Sequence, residues 1–215
     1  RRREELARGE SRYTKLGESN GVKKQEVQKL TKPLTDNEIV GRLAGGDETS
    51  GSCASLALAY AANKLGFDVL DFRGGKSQDL FSQRGNYADI VDYPGVESKT
   101  VTSNNDIKAA QELLKEIKPG EEYILTTGKH AAIVRLAADG KTYEYLEMQS
   151  ASQNGFKPLD KNVLHDRFGC KRSHTRYGYK PDIPNYLVNI KSLAGCKTFE
   201  NALPYLNTNA DQQKK

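Results

Sequence analysis

The sequence predicts an α+β protein, because helical patterns come first along the chain and strand patterns follow. An Ala- and Leu-rich stretch runs from Cys53 to Gly66, as in a helix that ends at a glycine. A second helical pattern covers residues 106–117, where apolar side chains recur every three or four positions before Pro119. Strands are then predicted over residues 122–127, 130–136 and 142–149. Helices followed by an antiparallel meander form an α+β order.

Several shorter segments complete the predicted order. We expect short helices over residues 36–43, 78–83 and 162–168, strands over residues 67–72 and 186–190, and a tight loop over residues 73–77.

Asp139 and Gly140 form a strong hairpin signal between the second and third predicted strands. If these two residues are the whole loop, Ala138 pairs with Lys141. The two residue numbers of every pair in this hairpin then add up to 279.

This register has a consequence for the start of the second strand. It places Gln149 opposite His130 and Glu147 diagonally beside it on the same face of the sheet. A slip by one residue would present Met148 instead. An amide or carboxylate beside an imidazole can orient the ring and stabilise its protonated form.

Composition and charge indicate one domain with polar ends. The 215 residues include 36% hydrophobic residues and carry a net charge of +5. We expect a charged extension or linker over residues 1–32, a domain over residues 33–206 and a polar tail over residues 207–215. Five positively charged residues at the two ends of the chain equal the net charge in number, so the rest of the chain is near neutral. A near-neutral domain argues against nucleic-acid binding. These five are Arg1, Arg2, Arg3, Lys214 and Lys215.

The sequence excludes several other classes of protein. It has no apolar run that could span a bilayer and no signal-peptide core, so we expect no membrane association. Three scattered cysteines are too few for a disulfide scaffold, and no metal-ligand spacing is present. We therefore expect neither a metal nor another cofactor. Met148 is the only methionine, and we expect the chain to be a fragment or processed product of a longer polypeptide.

The candidate chemistry centres on Cys53 and His130. A cysteine at a loop-to-helix junction meets the positive end of the helix dipole and free backbone N–H groups, which favour the thiolate. An imidazole at the start of a strand would supply the base of a cysteine-nucleophile site. The alternative is that Cys53 is a small buried side chain without catalytic function. We expect Ser50 and Ser52 to be helix caps, and His165 and His174 to be surface residues without partners.

These motifs resemble those of papain-fold toxin domains, which are C-terminal modules of bacterial polymorphic toxins and phage head-morphogenesis proteins. The resemblance lies in GSCA at residues 51–54, LGFDVL at 65–70, KHAAIV at 129–134 and YLEMQ at 145–149, and it spans roughly residues 47–154.

The resemblance implies a papain-like fold in which the nucleophile helix packs on an antiparallel sheet. It also implies that Cys53 is the nucleophile and His130 the general base. Glu147 occupies the position where the family usually has Asp or Asn. Gln149 matches the Gln that follows two residues later in the family motif. The predicted hairpin register favours Gln149 as the residue that orients the His130 imidazole. The position within the family motif favours Glu147, so both residues are candidates for this role.

The implied function is that of a cysteine hydrolase acting on protein acyl groups. The reaction is peptide-bond cleavage, deamidation of Gln or Asn, or acyl transfer. The partners would be a protein substrate and an immunity or inhibitor protein. The protein would be made in the bacterial cytoplasm and delivered outside the cell or with a phage particle. A catalytically inert binding module of the same fold is the alternative.

Overall fold

The computed structural model describes residues 1–44, 52–70, 75–175 and 177–206. This part of the chain is mixed α+β, as the order of sequence patterns predicts. Its helices are α1 (Arg2–Ala7), α2 (Arg12–Ser19), α3 (Asp36–Leu43), α4 (Cys53–Lys64), α5 (Gly75–Ser82), α6 (Arg84–Val91), α7 (Asp106–Leu114), α8 (Lys161–Asp166) and α9 (Lys197–Leu206). Its strands are β1 (Gln28–Lys29), β2 (Phe67–Asp68), β3 (Ser98–Ser103), β4 (Tyr123–Thr127), β5 (His130–Leu136), β6 (Tyr143–Glu147), β7 (Gly155–Leu159) and β8 (Ile183–Asn189).

The chain divides into two compact units. The first comprises Arg1–Val96, Glu147–Gly155 and Ser192–Lys215, and the second comprises Glu97–Leu146 and Phe156–Lys191.

Helix α4 is the central helix of the first unit. Nine of its twelve residues are buried, and it contacts α3, α5, α9 and β2. Its Ala- and Leu-rich sequence favours a helix and lets neighbouring elements approach closely from several sides. The helix begins at Cys53, and Gly66 follows its C-cap with a φ of +91°. The predicted helix and its glycine stop are therefore confirmed.

Residues 1–32 contain α1 and α2, which contact α9 within the first unit. Tyr13 on α2 is almost fully buried, and its ring stacks on Phe81 with a centroid distance of 4.8 Å. Gly17 lies against the ring of Tyr205, leaving no room for a side chain. Burial of large aromatic rings supplies much of the hydrophobic stabilisation available to such short helices.

The second unit is built on a six-stranded sheet with the order β3-β8-β4-β5-β6-β7. The pairs β3–β8, β8–β4, β4–β5 and β5–β6 are antiparallel. Helix α7 contacts β3, β4 and β8. Its apolar face joins buried strand residues in one core cluster that includes Ile107, Leu113, Leu125, Val134 and Leu187. The helix predicted from the spacing of apolar residues is thus confirmed, and those residues form its buried face.

The β5–β6 hairpin has the predicted register but a different loop. Ala137 donates its N–H to Thr142, and Gly140 donates to Ala137, so the loop contains residues 138–141 instead of two residues. Val134 pairs with Tyr145, and this pair also adds up to 279. A loop lengthened by one residue on each side leaves the register unchanged. Asp139 accepts the N–H groups of Lys141 and Thr142, which lowers the pKa of its carboxyl group.

Other short predictions need correction. The strand predicted over residues 67–72 is only Phe67–Asp68, and residues 71–72 lie outside the described residues. Residues 75–77 belong to α5 and do not form the predicted tight loop, because the helix starts at Gly75 and continues to Ser82. The remaining loop residues 73–74 and the predicted tail over residues 207–215 also lie outside the described part. None of the described helices is both long enough and apolar enough to cross a bilayer.

Candidate functional site

Cys53 is the first residue of α4 and is partly exposed. The preceding residue, Ser52, has no solvent exposure and occupies the N-cap position. Its backbone is helical, with φ −88° and ψ −3°, and its side chain makes no capping hydrogen bond. The prediction that Ser52 occupies the N-cap position is confirmed. Its hydroxyl, however, does not accept a hydrogen bond from the first turn of the helix. The predicted cap Ser50 lies outside the described residues. A thiol at this position lies where the helix dipole favours an anion.

Gln149 is a hydrogen-bond partner of the Ser52 hydroxyl. Its side-chain Nε2 donates a hydrogen bond to Ser52 Oγ at 3.0 Å. Its backbone N–H donates to Glu147 Oε2 at 3.3 Å, and Glu147 is buried at the end of β6. Ser52 and Gln149, one residue from each of two sequence motifs, are therefore in contact within the first unit.

His130 opens β5 in the second unit and follows a two-residue turn. Thr127 pairs with His130 across Gly128 and Lys129, and Gly128 has a φ of +60°, as the first residue of a type II′ turn requires. The imidazole is 7% exposed and packs edge-on against Phe168, with ring centroids 4.9 Å apart. This packing restricts the orientations of the ring.

The turn before His130 is held by a second segment of the same unit. Lys129 donates its backbone N–H to the carbonyl of Phe168 at 2.8 Å. A Cβ atom on Gly128 would lie 2.9 Å from the backbone N of Cys170 and even closer to the Phe168 carbonyl. Only glycine therefore fits both the backbone angle and the available space.

The structure places three of the four predicted site residues, Cys53, Glu147 and Gln149, in the first unit. His130 belongs to the second unit. The β5–β6 ladder ends at the pair Val134–Tyr145, and Gln149 lies beyond the end of β6. The pairing of His130 with Gln149 or Glu147 stays a prediction.

The other two cysteines are buried and differ from Cys53 in this respect. The Cys170 thiol lies 3.5 Å from the hydroxyl of Thr127. Burial raises the pKa of the Cys196 thiol, and a hydrogen bond with Thr198 opposes this shift. A raised pKa reduces the thiolate fraction, which makes Cys196 a poor nucleophile.

Sequence reasoning missed a contact between a partly buried histidine and a buried aspartate in the second unit. His174 Nε2 lies 2.6 Å from Asp106 Oδ2, and the Asp106 side chain is completely buried. The prediction that His174 has no partner is therefore wrong. His165 is exposed as predicted, but its Nδ1 lies 2.7 Å from Asp166 Oδ1, so the prediction that it has no partner is also wrong. Since Asp106 and His174 are 68 positions apart, no local pattern could have revealed the pair.

Within the described ranges, no three or more His, Cys, Asp or Glu side chains are grouped in a way that could hold a metal ion. Comparison of the chain with protein-family models and with curated proteins gives no match.

Proposed function

We propose that the chain is a papain-like cysteine hydrolase that acts on protein acyl groups, with Cys53 as its nucleophile. One observation carries the proposal. The Gln149 amide binds Ser52, the residue before Cys53, at the start of α4. Two motifs chosen from the sequence for the same resemblance are thus in direct contact although 97 positions separate them.

The chemistry follows from the residue types. The Cys53 thiolate attacks the substrate carbonyl carbon, and its sulfur forms a thioester as the amine or ammonia leaves. In this proposal His130 donates a proton to the leaving nitrogen and then removes one from the water that hydrolyses the thioester. The backbone N–H of Cys53, at the first position of the helix, is a suitable donor to the oxyanion.

Glu147 and Gln149 have different roles in the proposal. Since the Gln149 amide is bound to Ser52, we assign Gln149 to positioning the nucleophile end of α4. Glu147 then has the role of orienting His130, which agrees with its position in the motif. By resemblance, the protein is a toxin or effector module of a larger bacterial or phage protein, with an immunity or inhibitor protein as a further partner.

The direct test exposes candidate target proteins to the wild-type chain and to Cys53→Ala, followed by mass spectrometry. New termini would identify a protease, and conversion of Gln or Asn to the acid would identify a deamidase. His130→Ala should abolish the same products, whereas His165→Ala should retain them because His165 is exposed. Products that persist in Cys53→Ala would refute the proposal.

The reactivity of the Cys53 thiol distinguishes the hydrolase from the alternative, a catalytically inert binding module. Cys170 and Cys196 are buried, so Cys53 should be alkylated before them in any native state. The informative quantity is therefore the pH dependence of the Cys53 rate. A rate that persists to about pH 6 supports an activated thiolate, whereas a rate that follows an ordinary thiol pKa of about 8.5 supports the inert module. His130→Ala should move the profile towards the ordinary pKa.

A further inference from the structure

Two tyrosine rings project into solvent between α8 and β8. Tyr177 is 90% exposed and Tyr179 is 58% exposed, and Leu16 is the only other exposed large hydrophobic residue in the described part of the chain. We call residues 171–175 and 177–180 the basic–aromatic loop. Because aromatic rings usually bury a large area, two exposed rings close together in one loop indicate a contact surface.

The basic–aromatic loop is anchored to the segment at the start of α7. Asn104 donates from its side chain to the carbonyls of His174 and Pro181, at 2.7 and 3.0 Å. His174 also contacts the buried Asp106, which accepts the backbone N–H of Lys171 at 3.0 Å. These bonds hold the loop at both of its ends, so the two rings project from a fixed base.

Tyr177 has a φ of +48° and is the only non-glycine residue with a positive φ among the described residues. Side chains with a Cβ atom rarely adopt this conformation. Such backbone strain is concentrated at binding and catalytic sites, and here it occurs in the most exposed ring.

The charge around the rings is positive. Lys171, Arg172 and Lys180 are exposed in the loop. The carboxylate of Asp106 is buried beneath His174, and the exposed Asp182 follows the loop. The exposed part of the loop therefore presents three cations and no carboxylate.

We propose that the basic–aromatic loop binds single-stranded nucleic acid. Bases stack on the rings of Tyr177 and Tyr179, and the cations contact the backbone phosphates. Aromatic rings between cations are the usual platform for single strands. Tyrosine and arginine are common in protein interfaces as well, but two of the three cations here are lysines, in which protein interfaces are depleted.

The basic–aromatic loop shares no residue with the proposed hydrolase site, so either proposal can fail without the other. The test measures fluorescence anisotropy of labelled oligo-U and oligo-dT with the full chain. The double variant Tyr177→Ala/Tyr179→Ala should weaken binding by about tenfold or more, and Tyr177→Phe/Tyr179→Phe should stay within about twofold of wild type, because phenylalanine also stacks. A comparable loss of affinity in the Phe variant would contradict stacking.

The charged contacts are tested by salt dependence. Lys171→Ala/Arg172→Ala should reduce the slope of log K against log salt by about 1.4, or about 0.7 for each phosphate that the protein no longer neutralises. The matched control is Lys115→Ala/Lys141→Ala, which removes two exposed cations of the same unit. An equal change in the control would mean that the effect is one of total charge, and would overturn the assignment.

Three further results would overturn the proposal. They are no binding at low salt, wild-type affinity in the double Ala variant, and equally tight binding of polyglutamate or anionic vesicles. Thermal melting of each variant confirms that it is folded before its affinity is compared.

Discussion

The side-chain amide of Gln149 donates a hydrogen bond to Ser52 Oγ at 3.0 Å, which joins the segment after β6 to the start of α4. Ser52 is completely buried, so its hydroxyl depends on partners within the protein. The residue that follows it is Cys53, the candidate nucleophile.

We expect the Gln149–Ser52 bond to appear as a coupling energy. In a double-mutant cycle of Gln149→Ala and Ser52→Ala, measured by urea unfolding, the coupling should be about 0.5–1.5 kcal/mol. Gln153→Ala serves as control because Gln153 is exposed in the same segment, and its effect should add to that of Ser52→Ala. Additive effects of Gln149→Ala and Ser52→Ala would show that the bond contributes nothing to stability.

The Asp106–His174 pair should contribute more to stability than the exposed His165–Asp166 pair. Among the described residues, Asp106 Oδ1 is buried without a hydrogen-bond partner, so the contacts of this carboxyl group are those of Oδ2 with His174 and with the N–H of Lys171. Removal of the imidazole by His174→Ala should lower the free energy of unfolding by about 1–3 kcal/mol. His165→Ala should change it by less than about 0.5 kcal/mol. Similar values from chemical denaturation would show that the buried Asp106 gains no stability from His174.

Gly128 and Gly140 allow backbone strain to be separated from steric overlap. Both have a positive φ, +60° and +68°, but only Gly128 has neighbours where a Cβ atom would be. Gly140→Ala should cost about 1–2 kcal/mol from backbone strain alone. Gly128→Ala should cost about 1–3 kcal/mol more, because the backbone of Phe168 and Cys170 must move. Equal losses in urea unfolding would mean that the close approach at Gly128 is absent.

Gly17 and Gly41 test whether α2 packs as a part of the fold. A Cβ atom on Gly17 would lie 2.6 Å from the Tyr205 ring, whereas nothing lies within 4 Å of one on Gly41. Gly41→Ala should stabilise the protein by about 0.5–1 kcal/mol, because alanine has the better helix propensity. Gly17→Ala should destabilise it by about 1–3 kcal/mol through overpacking. A stabilising effect of both substitutions on the thermal midpoint would refute the contact between α2 and α9.

Local features were predictable because they depend on neighbours in the chain. Helix α4 starts at Cys53 and is followed by Gly66, as helix propensity and glycine conformation predict. The β5–β6 register also follows from a turn signal and side-chain alternation, and it is unaffected by the longer loop. The start of α5 at Gly75 was missed because glycine and serine favour loops when judged locally.

The sequence by itself therefore determined the α+β class, the helix that begins at Cys53 and the hairpin register. Only the tertiary structure decided that Gln149 binds Ser52 and that Asp106 is buried against His174. The physical reason is the separation of these partners along the chain. Each side chain alone has many hydrogen-bonding options, and the choice among them is made when folding excludes water from both partners.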